Sequence, residues 1–125
     1  MDIWSHFTLT RKEAVYLQLI RRIKQLLAAG QLADGMALPS RRETAAQLEI
    51  NPNTVQKAYK MLEEEGILTT EGNTGSMIHC SEETRQKIRE EWIREVGADF
   101  VRNAKELKLS YKQMMDLLSE LWEET

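Results

Sequence analysis

Two helix starts lie within a dozen residues of each other, at Ser40 and Asn51, each flanked by polar groups suited to phosphates and base edges. Ser40-Arg41-Arg42-Glu43 has the S-x-x-E form of a capping box, in which the hydroxyl takes up a free first-turn amide and the carboxylate reaches back. Asn51 is a strong N-cap residue, and Pro52 follows at the first helical position, where a missing N–H costs nothing. A short helix, a tight turn and a second helix with a polar face make a helix-turn-helix, the arrangement whose second helix enters a DNA major groove.

The flanking sequence completes a domain around this motif. From about residue 12 to 29, Tyr16, Leu19, Ile20, Ile23, Leu26 and Leu27 recur at three- and four-residue steps, which predicts a helix ended by Gly30. The two capped helices are expected over about 40–48 and 52–65, with Ala45, Leu48, Val55, Ala58, Tyr59 and Leu62 facing inward and Gly66 as the stop. The period then changes. Residues 67–70 and 76–80 read as two short strands, and Glu71-Gly72-Asn73-Thr74-Gly75 between them is a hairpin signal. Three helices and a hairpin form a winged helix, with hairpin amides around Asn73 and Gly75 available to backbone phosphates. Ahead of it, Trp4 and Phe7 are expected to anchor an irregular N-terminal segment.

Residues 81–125 follow another pattern. Ile88, Trp92, Val96, Phe100, Ala104 and Leu107 form a stripe over about 83–108, interrupted by Gly97, a residue that kinks or splits helices. Ser110-Tyr111-Lys112-Gln113 is a second capping-box pattern, opening a helix with Met114, Leu117, Leu118 and Leu121 on one side. Two such helices cannot bury their own stripes, so they require the winged helix or a second copy. The fold class expected is mainly α with a small β-hairpin: a winged helix-turn-helix over residues 1–80 and a two-helix dimerisation region over 81–125. The stripes suit a dimer interface, and a ligand pocket is the other use for them.

Charge limits how such a chain could hold DNA. Residues 1–80 carry nine basic and nine acidic side chains, while residues 81–125 carry eight and eleven, which accounts for the net charge of −3. A neutral module grips a polyanion only if its few cations face one way, as Arg41, Arg42, Lys57 and Lys60 are placed to do. One cysteine, Cys80, excludes an internal disulfide framework and suits a reducing compartment. No apolar run is long enough to span a membrane, and Met1-Asp2-Ile3-Trp4 lacks the marks of a signal peptide, so a cytoplasmic location is expected. His6 and His79 lie far apart without ligand-spaced partners, and His79 and Cys80 point to opposite faces of one strand. No acid/base pair, phosphate loop or cofactor motif supports an enzyme, and no metal or cofactor is implied.

Gly35-x-x-Leu38-Pro39-Ser40-x-Arg42-Glu43, followed by Asn51-Pro52-Asn53-Thr54-Val55-x-x-Ala58-Tyr59-x-x-Leu62-x-x-x-Gly66, resembles the GntR family of bacterial transcription regulators. Tyr16-Leu17-Gln18-Leu19-Ile20 is similar to its first-helix motif and Gly75-Ser76-Met77-Ile78 to its wing strand. The resemblance covers roughly residues 10–80, and the short helical tail resembles the YtrA-like subfamily. It implies a homodimeric regulator on an inverted-repeat operator, with transporter operons among the targets; a repressor is expected over an activator, a sign the residues themselves leave open. Arg42 then matches a DNA-contacting arginine. Asn51, Asn53, Thr54 and Gln56 match contact positions around the recognition helix, and Asn73 matches the wing-tip glycine.

The chain departs from the family pattern at several positions. Ala14 stands where a proline is usual, Glu49 where a turn glycine is common, and Asn73 in place of the first wing glycine. The usual recognition-helix arginine is missing at Pro52 and Gln56, so base readout falls to amide side chains, whose natural bidentate partner is adenine. The expected DNA-binding set is Ser40, Arg41, Arg42, Asn51, Asn53, Thr54, Gln56, Lys57, Asn73 and Gly75, with Lys57 meeting phosphate rather than a base. The expected dimerisation set is Ile88, Trp92, Val96, Phe100, Leu107, Met114, Leu117, Leu118 and Leu121. The acidic balance and missing arginines also fit a rival, a winged-helix module that binds proteins instead of DNA. A small-molecule effector remains open, with little room for a closed pocket.

Overall fold

A computed structural model describes residues 2–70 and 75–125. Its elements in chain order are α1 (Val15–Ala28), α2 (Arg41–Leu48), α3 (Pro52–Glu64), β1 (Leu68–Thr70), β2 (Ser76–Ile78), α4 (Glu82–Glu106) and α5 (Tyr111–Glu124). The expected order holds: mainly helical, with one small antiparallel sheet. The hairpin tip at 71–74, and with it Asn73, lies outside the described residues.

The chain divides into two compact units, Met1–Arg89 and Glu90–Thr125. This division falls inside α4, later than the expected break at residue 80. Ile88 is buried, and Arg89 Nη1 donates to the Ala28 carbonyl at 2.9 Å, so the opening turns of α4 belong to the first unit. Ile88 was expected on the dimerisation stripe; packing removes it from that stripe.

The core of the first unit follows the helical spacing. Leu19, Ile23, Leu26 and Leu27 of α1 are buried, as are Val55, Ala58, Tyr59 and Leu62 of α3. Burying a side chain of this size contributes roughly 1.5–3 kcal/mol, so each of the larger ones is a substantial part of the unit's stability. Trp4 is buried as expected, and Ile3 beside it was not foreseen. Arg22 of α1 ties this N-terminal segment down, with Nε donating to the Ile3 carbonyl and Nη2 to the Ser5 carbonyl, each at 3.0 Å. Its guanidinium lies 5.7 Å from the Phe7 ring centre.

Helix ends obey local rules. Gly66, at φ 78°, closes α3, with Ile67 N–H donating to the Leu62 carbonyl at 3.0 Å. The same closure ends α2 without a glycine: Glu49 sits at φ 55° while Ile50 N–H donates to the Ala45 carbonyl. Gly97 neither splits nor ends α4, which runs through it as one helix.

β1 and β2 pair with Leu68 opposite Ile78, Thr69 opposite Met77 and Thr70 opposite Ser76. On its other edge β2 takes up residues 35–38. Leu38 N–H donates to the Ser76 carbonyl at 2.9 Å, Ile78 N–H to the Met36 carbonyl at 2.8 Å, and Gly35 N–H to the Ile78 carbonyl at 2.8 Å. Ala37 bridges Met77. The expected two-stranded wing therefore has a third, strand-like edge, and that edge leads directly into α2.

Candidate nucleic-acid interface

Ser40 is the N-cap of α2, extended at φ −62° and ψ 161°, and its Oγ accepts from Glu43 N–H at 3.0 Å. Among the described residues no return bond joins Ser40 N–H to the Glu43 carboxylate, so only half of the expected box forms. The box at α5 is complete: Ser110 N–H donates to Gln113 Oε1 at 2.8 Å and Gln113 N–H to Ser110 Oγ at 3.1 Å.

The two arginines that follow Ser40 part company. Arg41 turns into the fold, its Nη2 3.3 Å from Glu63 Oε1, and the Thr70 hydroxyl donates to the same oxygen. This junction joins α2, α3 and β1, and the Arg41 Nε is buried without a hydrogen-bond partner. Arg42 stays exposed and, among the described residues, has no ion pair. The expected common orientation of Arg41 and Arg42 does not hold, because a carboxylate one helix away captures the first of them.

α3 presents two faces. Asn51 caps it, with Oδ1 accepting from Asn53 N–H at 2.8 Å, and Pro52 opens its first turn. With Val55, Ala58, Tyr59 and Leu62 turned inward, Asn53, Gln56, Lys57 and Lys60 are left exposed and Thr54 half-buried. The Asn51 oxygen is occupied by capping, whereas Asn53 and Gln56 keep their amide groups free among the described residues. Lys57 has an unforeseen neighbour: its Nζ lies 3.9 Å from the centre of the Tyr16 ring, in the first turn of α1. Gly75, at φ 96°, stands where the described part of the wing resumes.

A buried chain of hydroxyl groups backs this surface. Tyr59 donates to the Pro39 carbonyl at 2.8 Å, and Thr44 Oγ1 is 3.1 Å from the Tyr59 oxygen. Burial pushes the Tyr59 phenol above its usual range, against smaller opposing effects of Thr44 and the Arg41 charge. Burial likewise raises the Cys80 thiol, helped by the negative Asp34 nearby. The sequence patterns marked Tyr59 as a core residue and left Thr44 unnoticed. A threonine on the inner face of a helix opposite a tyrosine was the available signal.

In the second unit, an apolar groove of about 310 Å³ runs between α4 and α5, lined by Phe100, Val101, Ala104, Tyr111, Met114 and Leu118 among others. Val96, Leu107, Leu117 and Leu121 of the expected dimerisation set are exposed, and Trp92 is half-buried. Ile93 and Trp122, which fall outside the stripe that the spacing picks out, are exposed as well. Among the described residues no group of three potential metal ligands comes together, and no helix is long and apolar enough to cross a membrane.

Residues 15–78 match the sequence profile described as bacterial regulatory proteins, gntR family. The chain is 36% identical over 102 residues to the HTH-type transcriptional regulator YhcF of Bacillus subtilis, an alignment covering 82% of this chain and 84% of that one. It is 35% identical to the HTH-type transcriptional repressor YtrA of the same organism, over 68% of this chain and 85% of the relative. Among solved structures, a transcriptional regulator from Oenococcus oeni superimposes with a TM-score of 0.66 at 33% identity, covering 93% of this chain and 97% of its own. A GntR family regulator from Listeria monocytogenes shares the fold with a TM-score of 0.78 at 24% identity, over 90% and 98%.

Proposed function

The chain belongs to the GntR family of bacterial regulatory proteins, and from that premise we propose that it is a homodimeric repressor of transcription. Family membership makes it a DNA-binding helix-turn-helix regulator and not an enzyme. In our reading α3 enters the major groove of an inverted-repeat operator in the cytoplasm, and the wing lies against the backbone. A copy related by two-fold symmetry occupies the other half-site.

One observation carries the reading. The outer face of α3 displays Asn53, Gln56, Lys57 and Lys60, none of them used to hold the fold's hydrophobic core, and Arg42 stands exposed in the first turn of α2. Amides in that position suit adenine edges, and the cations suit phosphates. Arg41, engaged with Glu63, serves the fold in this reading, and Ser40 and Asn51 serve first as caps. The repressor sign is supported by the YtrA relative, which carries that name. The dimer is supported by the apolar groove and exposed leucines of the second unit.

Selection of bound sequences from a random duplex pool tests the whole proposal. The recovered sequences should form an inverted repeat, with half-sites about one helical turn apart or a multiple of it. Arg42→Ala should abolish preference for that duplex. Recovery of no consensus, or equal binding by wild type and Arg42→Ala, would overturn it.

A further inference from the structure

We infer that Tyr16 is a positioning residue for DNA binding, its ring pinning the Lys57 ammonium where it meets a backbone phosphate. The inference rests on the reading of α3 as the recognition helix and adds a residue from α1 to the binding machinery. Lys57 is exposed on the outer face of α3, yet its Nζ sits 3.9 Å from the Tyr16 ring centre, well inside the range for attraction between a cation and an aromatic face.

The kind of partner matters here. Lys24 and Arg41 each lie against a carboxylate, Glu65 and Glu63, which cancels much of their outward field. Among the described residues Lys57 has no carboxylate within ion-pair distance. An aromatic face holds an ammonium through its quadrupole and leaves the full unit charge for an incoming anion. It also restricts a long, rotamer-rich stem before binding, so less freedom is lost when the phosphate arrives. Lysine suits this task as a compact point charge on a flexible stem. Tyr16 is only half-buried, and among the described residues its hydroxyl makes no hydrogen bond.

The test measures binding of the full chain to a synthetic duplex bearing the selected inverted repeat, across a salt series. Lys57→Ala should reduce the slope of log affinity against log salt by about 0.9 per half-site. Tyr16→Leu should weaken binding about two- to fivefold per half-site, and Tyr16→Phe, which keeps the ring, should match wild type. In a Lys57→Ala background, Tyr16→Leu should cost nothing further. Proton NMR of the free protein should show the Lys57 side-chain methylenes displaced upfield by the ring, an effect retained in Tyr16→Phe. Equal harm from Tyr16→Leu with and without Lys57 overturns the inference, as does Tyr16→Phe binding as poorly as Tyr16→Leu. Absent upfield displacement overturns it even if Tyr16→Leu fails to fold. Sequence-specific binding with a Lys57→Ala slope equal to wild type overturns this inference alone, whereas a wild type that binds no duplex overturns the regulator reading with it.

Discussion

The indole N–H of Trp4 donates to Thr44 Oγ1 at 3.0 Å, joining residues forty positions apart in the buried interior. Because Tyr59 donates to the Pro39 carbonyl, the Thr44 hydroxyl is left to donate to Tyr59, and the four groups form one directed relay. The N-terminal segment, α2, α3 and the approach to α2 all meet in it. Replacing Thr44 by the near-isosteric valine would leave the Trp4 N–H without its acceptor and remove the donor to Tyr59. A loss of about 1–3 kcal/mol in urea unfolding is expected, and a change within error would show that the relay contributes nothing.

Tyr59 also sets an alkaline limit. Its folded pKa is raised by burial, so the neutral phenol is the form the fold favours. The associated stability is fully present below the usual tyrosine value of about 10 and is lost as pH rises through the higher folded value. Wild type should therefore show a falling Tm on the alkaline side. Tyr59→Phe should flatten that limb while lowering stability at neutral pH by about 0.5–1.5 kcal/mol, measured by thermal melts at stepped pH.

The turn between α2 and α3 stores strain at Glu49, a non-glycine residue at φ 55°. Left-handed geometry costs such a residue about 1–2 kcal/mol, and glycine's extra freedom in the unfolded chain returns part of the gain. Glu49→Gly should thus raise stability by roughly 0.5–1 kcal/mol and Tm by a few degrees, with duplex binding retained. A lower Tm would mean that the Glu49 side chain makes a contribution larger than the strain.

How far the sequence carried the reading depends on how local each cause was. Caps at Ser40, Asn51 and Ser110, the stops at Gly30 and Gly66, and the inward faces of α1 and α3 follow from neighbours within a few residues and appear where expected, except that Tyr16 of the α1 stripe is only half-buried. Features settled by contacts distant in the chain did not announce themselves. Arg41 and Arg42 are indistinguishable as letters, and only Glu63, twenty-two residues on, separates them. Residues 35–38 carry no strand pattern of their own, and their strand-like pairing follows from β2 beside them. Ile88 keeps the period of its stripe and still packs into the first unit.

The proposed dimer makes its own demand on the second unit. Leu117 and Leu121, one turn apart on α5, are each about half-exposed. Changing both to aspartate should leave helix content unaltered while converting the protein to monomer in sedimentation at micromolar concentration, with operator affinity falling at least tenfold. A doubly substituted protein that still sediments as a dimer would place the interface elsewhere.

Base discrimination should map to single side chains. Asn53→Ala is expected to cost about 1–3 kcal/mol on the selected duplex and to relax preference at one position per half-site, while Lys60→Ala lowers affinity evenly across sequences. Competition binding against a panel of single-base variants distinguishes the two patterns. Identical profiles for both variants would contradict the division of labour.

Among the described residues the outward amides of α3, Asn53 and Gln56, make no side-chain hydrogen bond. Asn53 and Gln56 project from a helix whose cap is Asn51, whose inner face is Val55, Ala58, Tyr59 and Leu62, and whose clasp to α2 is Arg41 with Glu63. Under the proposed function, what the protein recognises is thereby uncoupled from what keeps it folded. A descendant could exchange both amides and acquire a new operator without first acquiring a compensating mutation, so duplicated copies of such a gene are free to diverge in target while inheriting an intact scaffold.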